Sequence, residues 1–317
     1  PGRGAPAAPA LRAWPLALLG SHPAVLTEAG RQRNLADAEV PEVAPVSIAR
    51  RALPPGLADT LLAQLLEESK AWRPSAWVVH GQRGETPRSS AEYWLQPQHQ
   101  PQAGSGESRV LGEPSPELRE AARRVEALVA ELRPGSNWRP SLALANRYAS
   151  GRECVGWHSD FLTTLGPRPV IAGLSLGATR PFRLRRDGPA AAAGGKTLSV
   201  PMPHNTLVVM WGDCQEEWQH SVPRLADSSI GRSAVAGLVR LSLTFRMARP
   251  ELAALARDCR CSRPAALKSK AGRYYLACSP MGADRQCGFW QACAWAQEEA
   301  ERLRAREAAA RGPPGEG

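Results

Sequence analysis

The chain has 317 residues, of which 43% are hydrophobic, enough for one large domain with a small module or for two medium domains. No apolar run approaches the roughly 20 residues that a membrane-spanning helix needs, so no contact with a membrane is expected. Lys and Arg number 40 against 30 Asp and Glu, and the formal net charge of +10 favours an anionic partner, nucleic acid first. A general bias toward Arg, Ala, Gly and Pro is the competing explanation of that charge.

The chain before residue 135 predicts a tail, two helices and a loop. Residues 1–43 carry no acid before Glu28 and are expected to be a disordered tail or an organelle-targeting segment. The leucines of "GLADTLLAQLLEESKAW" recur at helical spacing, and "PELREAARRVEALVAELR" predicts a second helix. Between them, residues 96–117 are rich in Gln, Gly, Ser and Pro, which predicts a loop.

From residue 141 the hydrophobic pattern changes to short, β-rich segments separated by turn residues. They read "SLALANRYA", "VIAGLSLG", "PFRLRR", "TLSVPM", "TLVVMWG" and "LVRLSLTFRM". Closely spaced strands of this kind predict an all-β barrel or sandwich, here preceded by two helices. The segment 187–195 predicts a low-complexity hairpin loop.

Three residues of this β region form a candidate metal site. In "VGWHSDFLT", His158 and Asp160 are two apart, so a strand would place both on one face, although such a pair alone is more often a surface feature. His220 in "EEWQHSVPR" is a third candidate ligand. Two histidines and one carboxylate with open coordination positions suit non-haem Fe(II). His204, between prolines, is the rival and is expected to be structural.

The last strand adds a candidate anion site. Alternation in "RLSLTFR" places on one face Arg240, Ser242, Thr244 and Arg246. Two arginines facing into a barrel would be costly unless an anion occupied it, and a dicarboxylic acid would satisfy both. A sheet with that face in solvent is the alternative. Asn146 and Tyr148 of "NRY" also share a face, one strand before His158.

Together "NRYASGRECVGWHSD", "IAGLSLGATRPFRLR", "WQHSVPR" and "RLSLTFR" resemble the AlkB-type Fe(II)/2-oxoglutarate dioxygenases, over roughly residues 44–248. The resemblance implies a mainly β fold with flanking helices, a double-stranded β-helix or jelly roll. It implies Fe(II), 2-oxoglutarate and O2 as cofactors and co-substrate. The residue roles it implies are iron ligation by His158, Asp160 and His220, binding of the distal carboxylate of 2-oxoglutarate by Arg240 and Tyr148, and of the end near the metal by Arg246 and Asn146.

Two positions depart from the family pattern. Ser242 stands where the family usually has Asn; its hydroxyl has a shorter reach, which weakens one contact without removing the site. Phe161 and Leu162 stand where many relatives carry acids that help to recognise the damaged base, so the base preference of the family is not carried over.

The family substrate is an N-alkylated base that is single-stranded or flipped out of a duplex. Its demethylation releases formaldehyde and succinate, and DNA is favoured over RNA. The segment 86–95, "TPRSSAEYWL", resembles the family's substrate-covering lid, with Arg88 for phosphate and Tyr93 or Trp94 for stacking. An edge hairpin with one buried aromatic is the equal alternative.

Five of the seven cysteines fall between residues 259 and 293, which favours a metal site over a disulfide framework. The order C-x-C…C…C suits a closed tetrahedral Zn(II) site with four ligands, Cys259, Cys261, Cys278 and Cys287. With "GRYY" and "CGFW", residues 257–295 resemble a GRF-type zinc finger, a module that binds single-stranded nucleic acid. Cys293 is expected to be a free thiol, and residues 296–317 a charged helix and tail.

Basic and aromatic residues interleave in this segment, as backbone tracking and base stacking require. The basic ones are Arg263, Lys268, Lys270 and Arg273, and the aromatic ones Tyr274, Tyr275, Phe289 and Trp290. Arg273 and Trp290 are the candidate strand contacts, whereas Tyr275 and Phe289 are expected in the small core of the module.

The sequence therefore predicts a nuclear nucleic-acid demethylase, monomer favoured, whose zinc finger raises the local substrate concentration. An organelle is the other compartment that the N-terminal segment allows. The alternatives are a 2-oxoglutarate-dependent protein hydroxylase or demethylase, and a non-catalytic nucleic-acid-binding protein.

Overall fold

The computed structural model describes residues 32–34, 40–79, 82–96, 98, 110–188, 196–253, 255, 258–279 and 286–311. Most of the predicted tail 1–43 and most of the two predicted loops, 96–117 and 187–195, lie outside the described residues. The helices are α1 Val40–Val43, α2 Pro55–Glu68, α3 Pro116–Leu132, α4 Leu162–Leu165, α5 Cys214–Glu217, α6 Pro250–Ala253 and α7 Ala294–Arg311.

Sixteen strands are present among the described residues. Those before residue 140 are β1 Gln32–Asn34, β2 Val46–Arg50, β3 Arg73–Val79, β4 Gln82–Trp94 and β5 Val110–Gly112. The central ones are β6 Leu142–Tyr148, β7 Val155–His158, β8 Ile171–Gly177, β9 Arg180–Arg186, β10 Thr197–Met202, β11 Thr206–Met210, β12 Trp218–Val222 and β13 Arg240–Arg246. The last three are β14 Ala266–Lys270, β15 Arg273–Ala277 and β16 Trp290–Ala292.

The eight strands β6 to β13 are shared between two sheets. The larger sheet has the order β2-β11-β8-β13-β6-β4-β3, with β5 beside β4, and the smaller has the order β1-β10-β9-β12-β7. Apolar side chains from both sheets, such as Val208 and Met210 from one and Phe182 and Leu184 from the other, share one buried cluster. Two facing sheets of four core strands each are a jelly roll, so the predicted mainly β fold is confirmed.

The helices α2 and α3 cover the outer face of the larger sheet. Leu61 and Leu65 of α2 and Val125 of α3 are buried in one cluster with Leu243 and Phe245 of β13. Because residues on a strand alternate between faces, β13 gives its leucines and phenylalanine to the helices and its arginines to the space between the sheets. No helix among the described residues is long and apolar enough to cross a membrane.

Residues 86–94 lie in β4, which pairs with β6 on one side and with β3 and β5 on the other. These residues are therefore part of the larger sheet, and the edge position falls to β3.

Candidate active site

The three predicted iron ligands lie together at one end of the smaller sheet. His158 ends β7 and is the cross-strand partner of His220 in β12, and Asp160 follows two residues later. One potential ligand atom from each of the three residues lies within 4.8 Å of the others. The two imidazole centroids are 4.2 Å apart, and Phe182 stacks on His220 at 5.5 Å.

Hydrogen bonds leave one ligand atom free on His158 and one on Asp160. Nδ1–H of His158 donates to the carbonyl of Gly156 at 2.9 Å, which leaves Nε2 available, 3.8 Å from Oδ1 of Asp160. Oδ2 of Asp160 accepts from Nε of Arg246 at 2.8 Å and forms an ion pair with Nη2 at the same distance, which leaves Oδ1. Fixing the second atom of a ligating side chain in this way orients the first toward a metal.

The ionisation of the three side chains suits a divalent cation. Burial lowers the pKa of His158, and burial together with the nearby His158 ring lowers the pKa of His220 to about 3. For Asp160, burial raises the pKa, but Arg246, His220 and His158 outweigh it and hold the pKa at about 2. At neutral pH the site therefore offers two neutral imidazoles and one carboxylate, the donor set that fits Fe(II).

A buried arginine, Arg240, lies on β13 of the larger sheet. Arg240 is 4% exposed, its Nε donates to Oγ of Ser175 at 2.9 Å, and its Nη1 is buried without a partner. Its guanidinium is 5.3 Å from the ring of Tyr148. Burial lowers the pKa of Arg240 to about 10, so the group stays charged at neutral pH. A buried cation with an unused donor fits a carboxylate such as the distal end of 2-oxoglutarate.

The other predicted 2-oxoglutarate residues lie on β13 itself and on the adjacent strand β6. Tyr148 is the cross-strand partner of Arg240, and Asn146 is the partner of Ser242. Arg246 lies at the far end of β13, bonded to Asp160. Arg240 and Arg246 thus lie on the same face of β13, the one that points between the sheets, and Arg246 contacts the metal ligand Asp160.

Arg180 belongs to the same region, although the sequence motifs predicted no role for it. It is fully buried and donates to the backbone carbonyls of Ser150, Glu153 and Pro223 at 2.9, 3.0 and 2.6 Å. Its guanidinium is 5.8 Å from the Tyr148 ring. The available signal was the alternation in "TRPFRLR", which puts Arg180 on the inward face of β9 with two apolar residues.

The predicted lid residues have different environments. Nε of Arg88 donates to Oδ1 of Asn146 at 2.8 Å, a bond that the sequence did not predict. Tyr93 is 1% exposed and its hydroxyl donates to Glu68, so Tyr93 is the buried aromatic of the alternative and, of the two stacking candidates, only Trp94 is left. Because residues two apart share a strand face, Tyr93 faces the helices, whereas the half-buried Trp94 shares the face of Arg88.

The four cysteines of the predicted zinc site also lie together. Their Sγ atoms are all within 4.8 Å of one another, and those of Cys259 and Cys261 are 3.8 and 3.7 Å from that of Cys278. Cys259 and Cys261 are closer, at 2.6 Å. A tetrahedral Zn–S bond of about 2.3 Å implies sulfurs about 3.8 Å apart, so the group fits Zn(II). Cys293 is buried outside this group.

Around these cysteines, strands β14 to β16 form a small sheet. We call this sheet, the cysteines and α7 the cysteine module. The hydrogen bond from Cys259 lowers the pKa of Cys261, and the guanidinium of Arg263 is 3.2 Å from Sγ of Cys261. The half-buried Arg263 therefore contacts the thiols.

One face of the small sheet is basic and aromatic. Cross-strand pairs and alternation place on it Lys268, Lys270, Arg273, Tyr275 and Trp290. Trp290 is 63% exposed and stacks on Tyr275 with centroids 5.8 Å apart. Tyr274, 3% exposed, points to the other face, so the prediction of Tyr275 as the core tyrosine is wrong, while Phe289 does pack against the buried cluster.

Residues 45–246 match the family model of the 2OG-Fe(II) oxygenase superfamily. The jelly roll and this match define a dioxygenase that uses Fe(II), 2-oxoglutarate and O2. The chain is 31% identical to human alpha-ketoglutarate-dependent dioxygenase alkB homolog 3, over 218 residues that cover 66% of this chain and 70% of the relative. It is also 31% identical to DNA oxidative demethylase ALKBH2 of Arabidopsis thaliana, over 38% of this chain and 40% of that protein. The chain therefore belongs to the AlkB-type 2OG-Fe(II) oxygenases.

Among solved structures, that of OsALKBH1 matches with a TM-score of 0.44 and 15% identity, over 64% of this chain and 98% of that one.

Proposed function

We propose that this dioxygenase oxidatively demethylates N-alkylated bases in nucleic acid, DNA rather than RNA. The observation that carries the proposal is the meeting of His158, Asp160 and His220 beside the buried Arg240 in an AlkB-type chain. Relatives of this chain are named DNA oxidative demethylases. The net charge of +10 favours the same polyanionic substrate.

His158, Asp160 and His220 would hold Fe(II), and Arg246 keeps Asp160 ionised and oriented through a hydrogen bond and an ion pair. Arg240 and Tyr148 would hold the distal carboxylate of 2-oxoglutarate, while Arg246 and Asn146 lie toward the metal. When bound, iron and 2-oxoglutarate would supply the oxidation: one oxygen atom of O2 enters succinate as CO2 leaves, and the other hydroxylates the N-methyl carbon. The C–N bond then breaks and formaldehyde leaves.

The target base must leave its pair to reach this site, because the alkylated ring nitrogen is buried in a duplex. Phe161 follows Asp160 directly and is 63% exposed, so it offers an apolar ring at the entrance to the site. Arg88 and Trp94 lie on one face of β4 nearby. These side chains are the substrate contacts that we propose on the dioxygenase domain.

The cysteine module would bind Zn(II) through Cys259, Cys261, Cys278 and Cys287 and assist single-strand binding. Its face with Lys268, Lys270, Arg273, Tyr275 and Trp290 combines charges for phosphates with an exposed ring for a base. A stacked base contributes about 1–3 kcal/mol without sequence preference, so this face suits a strand that flanks the target base.

The demethylation proposal is tested with purified full-length protein, Fe(II), ascorbate and 2-oxoglutarate. Oligonucleotides that carry N1-methyladenine or N3-methylcytosine are offered as single-stranded DNA, duplex DNA and RNA, and the loss of the methyl mass is followed by mass spectrometry. Turnover that disappears in His158→Ala supports the proposal. If the wild-type protein binds these strands tightly but removes no methyl group, the proposal fails for these bases.

A further inference from the structure

The cysteine module packs on the short helix that follows the metal ligand Asp160. This helix, α4, begins at Leu162, two residues after Asp160. Leu162 is buried in one apolar cluster with Cys259, Leu267 and Cys278 of the module. The backbone N–H of Leu267 donates to Oγ1 of Thr163 at 3.0 Å. The edge strand β14 is thereby bonded to the segment that carries Asp160.

A second contact reaches the segment that carries His220. The hydroxyl of Tyr274 in β15 donates to Oε1 of Glu216 at 2.9 Å, and Tyr274 is 3% exposed. Glu216 belongs to α5, which ends three residues before His220. Arg304 of α7 donates to Asp213, the residue before α5, at 3.0 Å. The module thus holds both ends of this short helix.

The two segments are also bonded to each other at the metal site. Oε1 of Gln215 in α5 accepts from the backbone N–H of Asp160 at 2.8 Å, and Gln215 is 4% exposed. The hydroxyl of Ser159 donates to the carbonyl of Trp218 at 2.9 Å. A displacement of α5 would therefore move the backbone of Asp160 as well as that of His220.

From these contacts we infer that metal binding at the four cysteines strengthens metal binding at His158, Asp160 and His220. Tyr274 and Gln215 are the positioning residues that connect the two sites. A segment of this size without a metal has too small a core to hold its sheet, so loss of the zinc releases the contacts on α4 and α5. The inference rests on the proposed zinc site, but it requires no particular substrate.

Mn(II) is a suitable probe for the iron site, because oxygen and nitrogen ligands suit it and thiolates suit Zn(II). The Kd of Mn(II) for full-length protein is measured in the presence of 2-oxoglutarate from the EPR signal of the free ion, and bound zinc is measured in each sample. Cys287→Ser is expected to lose zinc and to weaken Mn(II) binding about tenfold, as changes around metal ligands commonly do. Tyr274→Phe is expected to keep its zinc and to weaken Mn(II) binding about fivefold, the effect of one hydrogen bond of about 1 kcal/mol.

Two control variants separate this coupling from other effects. Trp290→Ala alters the exposed face of the module and should leave the Mn(II) Kd unchanged. Val125→Ala lies in the distant helix α3 and should lower the unfolding free energy about as much as Tyr274→Phe does. It should nevertheless leave the Mn(II) Kd unchanged.

The inference is overturned if zinc-loaded Tyr274→Phe binds Mn(II) like the wild type, or if Val125→Ala weakens binding as much. Because Tyr274→Phe keeps the cysteines, the test stands even where Cys287→Ser does not fold. No nucleic acid is present, so the result is independent of whether the demethylation assay succeeds.

Discussion

The carboxyl group of Glu216 has an unusual environment at the contact between the cysteine module and the dioxygenase domain. Its Oε1 accepts from the backbone N–H of Arg168 at 2.6 Å and from the hydroxyl of Tyr274 at 2.9 Å. Its Oε2 is buried without a partner. Burial raises the pKa of Glu216 from 4.5 to about 7. We predict that Glu216→Gln makes the stability of the protein less dependent on pH.

The direction in which stability changes with pH follows from the pKa values of Glu216 in the unfolded and folded chains. Because the carboxyl holds its proton more tightly in the folded than in the unfolded chain, its contribution to stability is greatest below pH 4.5 and falls until about pH 7. At about 1.4 kcal/mol per pH unit, the loss is about 3 kcal/mol in total, of which about 2 kcal/mol falls between about pH 5.5 and about pH 8. Glutamine keeps the acceptor at Oε1 and does not titrate. Its unpaired N–H group has a cost that is the same at both pH values.

The assay is urea unfolding of zinc-loaded wild-type protein and Glu216→Gln at those two pH values. The wild type is expected to lose about 2 kcal/mol more of its unfolding free energy than the variant as pH rises. All other titrating groups, including the cysteines, are common to both proteins and cancel in this difference. An equal pH dependence of the two proteins would refute the assignment of a raised pKa to Glu216.

Three further predictions concern the two binding regions. Arg240→Lys should raise the KM for 2-oxoglutarate about 10- to 100-fold, because lysine replaces a bidentate contact with a single one. The Kd of Mn(II) should stay the same. An unchanged KM would exclude Arg240 as the carboxylate ligand. Ser242→Asn should lower the KM for 2-oxoglutarate a few-fold, about the effect of one added hydrogen bond, and a higher KM would show that the larger side chain does not fit. Trp290→Ala should raise the Kd for single-stranded DNA about tenfold, the effect of one stacked base, with kcat unchanged at saturating strand; an unchanged Kd would remove this face as the strand site.

The strand periodicity of the sequence predicted the faces of the active-site strands well. In "RLSLTFR" the two sets of residues differ sharply in chemistry, so alternation alone assigns Arg240 and Arg246 to one face and Leu243 to the other. The helices α2 and α3 were likewise readable from their apolar spacing. Which strands lie side by side is a different matter, because His220 meets His158 through a register between β12 and β7 that spacing along the chain does not encode.

The contacts that the sequence did not predict depend on such neighbours. Gln215 reaches Asp160 from a helix 55 residues further along the chain, and Arg88 reaches Asn146 from 58 residues before it. The resemblance of residues 86–95 to the family's lid left Tyr93 and Trp94 as equal candidates for stacking, with a buried aromatic as the alternative. The position of Tyr93 in an inner strand, facing α2, buries it.

The two adjacent tyrosines of the cysteine module show why the sequence alone does not predict which side chains are exposed. Alternation places Tyr274 and Tyr275 on opposite faces of β15, but the sequence does not say which face is covered. The cover comes partly from α7 of the module and partly from the dioxygenase domain, since Tyr274 and Leu276 share one buried cluster with Ala296 and Ala300 and with Leu162. The face with Tyr275 and Trp290 consequently remains uncovered. Hydrogen bonds to α4 and α5, the segments beside the metal ligands, hold the module in place. If a strand binds to that face, these contacts fix the position of its binding site relative to the metal ligands, which is a stricter constraint than a flexible tether would impose.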